Sequence, residues 1–288
     1  MPHHEKRRII AMSPGDLAVY ISADMEGVAG VTGPDQLRPT GFEYQSFRKT
    51  FTAEVVAAIE GAREAGAMKI VVSDSHGNGL NLIPAMLPKD IELVRSWPRP
   101  LGMMQGIDDS FDAALLIGYH SSAGRGAGIA AHTFSSALLS SVRIDGTEMG
   151  EAGVNALIAG HFGVPVVMIS GDDVAVAEAQ ELLGPIEGAV VKQHVSHGST
   201  RTLMPEAAIA LIREKASAGI SRRGELQPCR PANPLTLELT YKHAQNAELI
   251  SYLAGIHRSG SHTVRFEGSI LEASGFIEVA CAYPAHTG

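Results

Sequence analysis

LAVYISADMEG, residues 17–27, is an apolar run that stops abruptly at two carboxylates one residue apart. Leu17 to Ile21 is short, continuous and rich in aliphatic and aromatic residues, the pattern of a buried strand. In an extended chain, side chains two positions apart point to the same face, so Asp24 and Glu26 are expected to project together just past the strand's carboxyl end. Anionic groups held that close repel one another unless something positive sits between them, and a metal ion meets that demand.

The same ending recurs along the chain. Gly27 to Gly41 is punctuated by glycine and proline and predicts a long surface loop. Tyr44, Phe47, Phe51, Val55, Ile59 and Ala62 then step by three or four residues, one apolar face of a helix that stops near Gly66. Lys69 to Val72 predicts a second strand, closing in Ser73-Asp74-Ser75-His76-Gly77, and Ala113 to Ile117 a further one, closing in Gly118-Tyr119-His120. Strand, helix, strand is the βαβ unit, which puts the polar endings on one edge of a parallel sheet. Ile91 to Val94 is a weaker strand.

Leu138 to Glu148 predicts a hairpin around Asp145-Gly146. Gly150-Glu151-Ala152-Gly153 leads into a helix reaching about Gly160, and Val164 to Ser170 is a strongly apolar strand. Val174 to Leu183 predicts a helix and Ala189 to Lys192 a short strand. After about residue 200 the composition changes. A helix from Pro205 to about Ala218 and a proline-containing link to Pro234 precede strands at Leu235 to Tyr241 and Thr263 to Phe266, with helices at Ala244 to Leu253 and from about Ser269. The fold class expected is α/β, a mostly parallel central sheet flanked by helices with a smaller C-terminal α/β lobe. The corresponding division is a flexible extension over 1–15, a catalytic domain over 16–200 and the lobe over 201–288, separate or continuous with the first.

Composition narrows the function. A chain of 288 residues, 45% hydrophobic and 19% charged, buries a sizeable core in one or two domains. Its net charge of −8 points away from nucleic acid and anionic membrane surfaces as partners. No run approaches the roughly 18 apolar residues of a membrane span. Cys229 and Cys281 lack CxxC spacing, so a reducing cytoplasm is the expected compartment and a bound metal would draw on histidines and carboxylates. The GxGxG at Gly124 to Gly128 lacks the strand-turn-helix setting of a dinucleotide site, and no GxSxG elbow is present.

Ligands of open parallel α/β sheets bind at the carboxyl ends of the strands, where Asp24, Glu26, His76 and His120 all fall. Nitrogen and carboxylate donors without thiolates suit catalytic zinc, and also manganese or cobalt. With one more acid they suffice for two metals sharing a carboxylate, which points to amide or ester hydrolysis. Spacing alone leaves Glu148 and Glu151 as alternatives for that acid. Asp74 and Asp173 fit either a role in orienting ligand imidazoles or plain loop capping, with capping favoured. His194 and His197 sit three apart in a segment that reads as a loop.

Ala23-Asp24-Met25-Glu26-Gly27, Ser73-Asp74-Ser75-His76, Gly118-Tyr119-His120, Ala131-His132-Thr133 and Gly150-Glu151-Ala152-Gly153-Val154-Asn155-Ala156 recur, in that order and at similar spacing, in the D-aminopeptidases of the dipeptide-transport operon type, peptidase family M55. The sequence resembles that family from about residue 17 to about 193 and more loosely beyond. The resemblance implies a dinuclear zinc aminopeptidase acting on short D-amino-acid peptides such as D-Ala-D-Ala. It implies that Asp24 bridges the metals, that Glu26 and His76 complete one, that His120 and Glu151 complete the other, and that His132 is the catalytic histidine. It implies too a decamer of two pentamers enclosing the active sites. The same donors would also serve a zinc hydrolase acting on L-peptides or other small amides, or a metal- or peptide-binding protein without turnover.

Overall fold

The computed structural model describes residues 16–282, so the extension expected over 1–15 lies outside the described residues. In chain order, strand β1 (Leu17–Ala23) is followed by the single turn α1 (Pro34–Leu37), the long helix α2 (Tyr44–Glu64), and strands β2 (Ala67–Asp74), β3 (Glu92–Val94) and β4 (Ala113–Tyr119). Next come β5 (Leu139–Ile144), β6 (Thr147–Glu148), α3 (Glu151–His161), β7 (Val166–Asp172), α4 (Asp173–Leu183), β8 (Glu187–Ser196) and β9 (Ser199–Thr202). Helix α5 (Pro205–Ser221), β10 (Leu235–Tyr241), α6 (Ala244–Ile250), β11 (Ile256–Arg258), β12 (Thr263–Gly268) and α7 (Ile270–Ala282) follow.

Seven strands form the main sheet in the order β3-β2-β1-β4-β7-β8-β9. The first six are mutually parallel and only β9 runs against its neighbour β8. Every residue of β1 and of β4 is buried, as inner strands covered on both faces must be. From β1 the chain winds outward to β2 and β3, then returns to the other side of β1 as β4. That reversal leaves a crevice beyond the carboxyl ends of β1 and β4, where open α/β sheets take their ligands.

Helix α2 packs along α5 and against β1, β2 and β4, while α4 lies on β7 and β8, and α3 touches β4, α4 and α7. The apolar positions read at three- and four-residue spacing turn inward, with Phe51, Val55, Ile59 and Ala62 fully buried. Burying large side chains of this kind contributes about 1.5–3 kcal/mol each before entropy is counted, so the stripe is sufficient reason for the helix to hold its face.

The second sheet has five strands in the order β11-β12-β10-β5-β6. Burial along β10 alternates strictly, the mark of a sheet with one face on a core. Its β5-β6 hairpin turns at Asp145 (φ 51°) and Gly146 (φ 79°), left-handed at both positions as a type I′ turn demands. The layers divide the chain differently from its sequence order. Residues 139–148 are built into the second sheet, whereas α5 covers β7 and β8 of the first, because each amphipathic face finds the nearest uncovered partner. His194 also departs from the loop reading, lying within β8, since pairing with β9 extends that strand to Ser196. No helix among the described residues is long and apolar enough to cross a membrane.

Candidate metal centre and active site

Asp24 and Glu26 leave β1 on a loop that crosses the end of β4. The Asp24 amide donates to the Ile117 carbonyl at 2.8 Å and the Gly27 amide to that of Gly118 at 2.7 Å. A Cβ at Gly118, where φ is +72°, would stand 2.1 Å from the Asp24 carbonyl oxygen, and one at Gly27 would stand 2.0 Å from that of Tyr119. Only glycines permit this crossing, which brings the endings of two strands into one site.

Each histidine there is pinned by a main-chain carbonyl on one ring nitrogen. His76 Nε2 lies 2.9 Å from the Leu37 oxygen, His120 Nδ1 3.0 Å from that of Ser121, and His132 Nδ1 2.9 Å from that of Ala130. A carbonyl only accepts, so these nitrogens carry a proton and the opposite nitrogens are left to take either a second proton or a metal. Those opposite nitrogens face carboxylates. His76 Nδ1 is 2.9 Å from Glu26 Oε2 and 3.3 Å from Asp24 Oδ1. His120 Nε2 is 3.4 Å from both Asp24 Oδ2 and Glu151 Oε1, and His132 Nε2 is 3.8 Å from Glu151 Oε1.

Asp24 Oδ2 and His120 Nε2 are buried with no hydrogen-bond partner. Ligand atoms of Asp24, Glu26 and His120, and separately of His120, His132 and Glu151, lie within 4.8 Å of one another. Burial works against ionising Asp24, yet the adjacent His120 and His76 rings hold its carboxyl well below the usual range. Burial likewise opposes charge on His76 and His120, but Glu26 with Asp24, and Glu151 with Asp24, lift both imidazoles well above theirs. The cluster therefore demands positive charge between its rings and carboxylates, which protons or divalent cations supply. Pinned imidazoles, buried carboxylates and orphaned donor atoms fit a metal.

Glu151 opens α3, and its Oε1 accepts the Phe134 amide at 2.6 Å. Glu148 ends on β6 instead, bound to Ser141 Oγ and Arg143, because Gly150 breaks strand from helix and the two acids share no helical face. The His120 and His132 rings stack at 4.1 Å. His132 lines a cavity of about 740 Å³ together with Asp24, Glu26, His76, Glu151, Trp97, Met103, Phe134 and Ile277, whereas His120 lines a second one of about 400 Å³.

Asp74 serves as a loop cap, accepting from the Asn81 and Leu82 amides and from Asn81 Nδ2, which also donates to the His76 carbonyl. Asp173 accepts the His194 amide and is exposed. His197 stands at the cavity rim, where its carbonyl accepts from Ala130. Several supports gave no local signal. Buried Lys192 donates to the carbonyls of Glu26, Val28 and Val31 and so stitches down the loop after β1, burial pulling its pKa down to about 8. Asp172 caps α4 through the Ala175 amide and holds the Ile129 amide, anchoring the loop that carries His132. Beneath the site, Tyr119 Oη bridges Ser22 and Asn155, and Arg99 holds Ser73 and the Asp74 carbonyl. Of these, Ser73, Tyr119 and Asn155 stand in the runs Ser73-Asp74-Ser75-His76, Gly118-Tyr119-His120 and Gly150-Glu151-Ala152-Gly153-Val154-Asn155-Ala156.

An open parallel sheet with a carboxylate and imidazole cluster at its switch point defines the class of metal-dependent hydrolases. The model of peptidase family M55, described as D-aminopeptidase, matches residues 17–279, and the chain belongs to that family of peptidases. A D-aminopeptidase of Bacillus subtilis (strain 168) is 31% identical over 262 residues, spanning 89% of this chain and 94% of its own. The solved structure of the zinc-dependent D-aminopeptidase DppA from Bacillus subtilis, described as a self-compartmentalizing protease, matches with a TM-score of 0.89 and 29% identity, covering 92% of this chain and 97% of its own.

Proposed function

We propose that this protein is a dinuclear zinc aminopeptidase that removes the first residue of short peptides, D-amino-acid peptides such as D-Ala-D-Ala above all. The observation that carries the reading is the division of labour at Asp24, which presents Oδ1 to His76 and Oδ2 to His120. One oxygen toward each half supports Asp24 as the residue that two metals would share, with Glu26 and His76 holding one and His120 and Glu151 the other. When bound, the cations would supply Lewis-acid polarisation of the scissile carbonyl and acidify water.

The protein's own groups do the remaining work. His132 is fixed through Nδ1 to Ala130, so Nε2 is the atom that exchanges a proton with the leaving amine or steadies the developing oxyanion. Of the three histidines its side chain is the most open, 17% exposed against 10% and 1%. The apolar walls at Trp97, Met103, Phe134 and Ile277 strengthen every electrostatic contact within the cavity. Exposed Phe42, Tyr252, Met204 and Val195 are apolar surface that a homo-oligomer would cover, in keeping with the decamer the family resemblance implies and with the self-compartmentalizing relative.

The test joins metal analysis to turnover of D-Ala-D-Ala and L-Ala-L-Ala before and after chelation. The expected result is about two zinc ions per chain, cleavage favouring the D-peptide, loss on chelation and recovery with zinc. Turnover that survives complete metal removal overturns the reading, and a preference for L-Ala-L-Ala overturns its stereochemical part.

A further inference from the structure

On the wall of the same cavity stands an acidic side chain that the ligand set does not use. Glu278, on α7, lines it together with Ile277 and Cys281 of the same helix, and Asp24, Glu26, His132 and Glu151 line the same space. The Glu278 side chain is half-buried, and its Oε1 rests beside Gly102, where even a Cβ would come within 3.2 Å. No hydrogen bond or ion pair to it occurs among the described residues. The guanidinium of Arg99, which acts on it electrostatically, donates to Ser96, Ser73 and the Asp74 carbonyl, lies over the Trp97 ring at 4.3 Å and makes no hydrogen bond to Glu278. Loss of water around the carboxyl raises its pKa to about 7, with Arg99 pulling weakly the other way.

A half-dehydrated carboxylate with no partner is poorly placed unless a cation arrives. The peptide substrate of an aminopeptidase brings one in its terminal ammonium, the only group that distinguishes its first bond from later ones. Building on the aminopeptidase reading, we infer that Glu278 receives the free ammonium of the substrate in the cavity it shares with the metal centre and thereby sets the register of cleavage. It is a specificity residue and takes no part in holding metal.

The measurement compares wild-type protein with Glu278→Gln, both loaded with zinc. Two ligands are used: D-Ala-D-Ala as substrate, and propionyl-D-alanine, the same dipeptide lacking its amino group, as competitive inhibitor. The expected outcome is a 10- to 100-fold fall in kcat/KM, mainly through KM, with the inhibition constant for propionyl-D-alanine unchanged within twofold and zinc content intact. Glu278→Asp should recover part of the loss, and it carries the same comparison if the glutamine variant does not fold. An unchanged kcat/KM, or equal weakening of both ligands, overturns the inference while leaving the aminopeptidase reading in place. A wild-type protein without chelator-sensitive cleavage of D-Ala-D-Ala overturns the aminopeptidase reading first.

Discussion

Asp24 is the residue on which the site turns, because its two oxygens face different imidazoles. Asp24→Ala is expected to abolish metal retention at both positions, and elemental analysis after dialysis checks it; full metal content in that variant would remove the bridging role. His132→Ala should behave differently. It keeps its metals and loses about 10²- to 10⁴-fold in kcat, the usual range for removing one acid-base group. Glu54 offers a stability test away from the ligands. Its Oε1 accepts the Ala29 amide, its Oε2 has no partner, and burial raises its pKa from 4.5 to about 7. The folded protein thus binds this proton more tightly than the unfolded chain does. The resulting stability is fully present below pH 4.5 and is lost as pH rises toward 7, by an amount on the order of 3 kcal/mol. Glu54→Gln should therefore melt progressively higher relative to wild type between pH 4.5 and 7, with the gap constant above that; a gap independent of pH would contradict the assignment.

Among the elements, the crossing of the β1 and β4 ends sets the geometry. Gly118→Ala adds a Cβ 2.1 Å from the Asp24 carbonyl oxygen at a φ of +72°, so both the loop and the residue must shift. The expected cost is about 1–3 kcal/mol of stability together with weakened metal binding, seen as a lower melting temperature and faster metal loss to a chelator. Lys192→Met keeps the buried stem and removes three hydrogen bonds to the loop after β1. Three carbonyls left unpaired put the expected loss at several kcal/mol, and thermal melts of the two proteins measure it. The Lys192 device is not legible from its neighbours in sequence. Lys192 closes an apolar strand pattern, and its partners lie more than 160 residues away. The strand endings themselves were readable, since a buried parallel strand must be apolar throughout and must stop where water or a ligand begins.

The whole molecule interleaves two sheets that the chain order keeps apart, with the ends of the main sheet supplying Asp24, Glu26, His76 and His120 to the site and the C-terminal helix α7 supplying part of the cavity lining. Light scattering on the purified protein should report an assembly far above the 30.3 kDa chain, with short peptides cleaved and folded proteins spared; a monomer would remove the enclosed-chamber proposal. From sequence alone came the parallel α/β class, the placing of Asp24, Glu26, His76 and His120 at strand ends, and, through the motif resemblance, Glu151 and His132. All of these follow from local periodicity or short runs, which a chain displays without folding. Tertiary structure decided that Glu148 and Glu151 part company at Gly150, that β5 and β6 leave the main sheet, and that Lys192, Asp172 and Glu278 converge on the site. Burial, loop crossing and the pairing of distant charges depend on which segments become neighbours, and no stretch of sequence carries that information by itself.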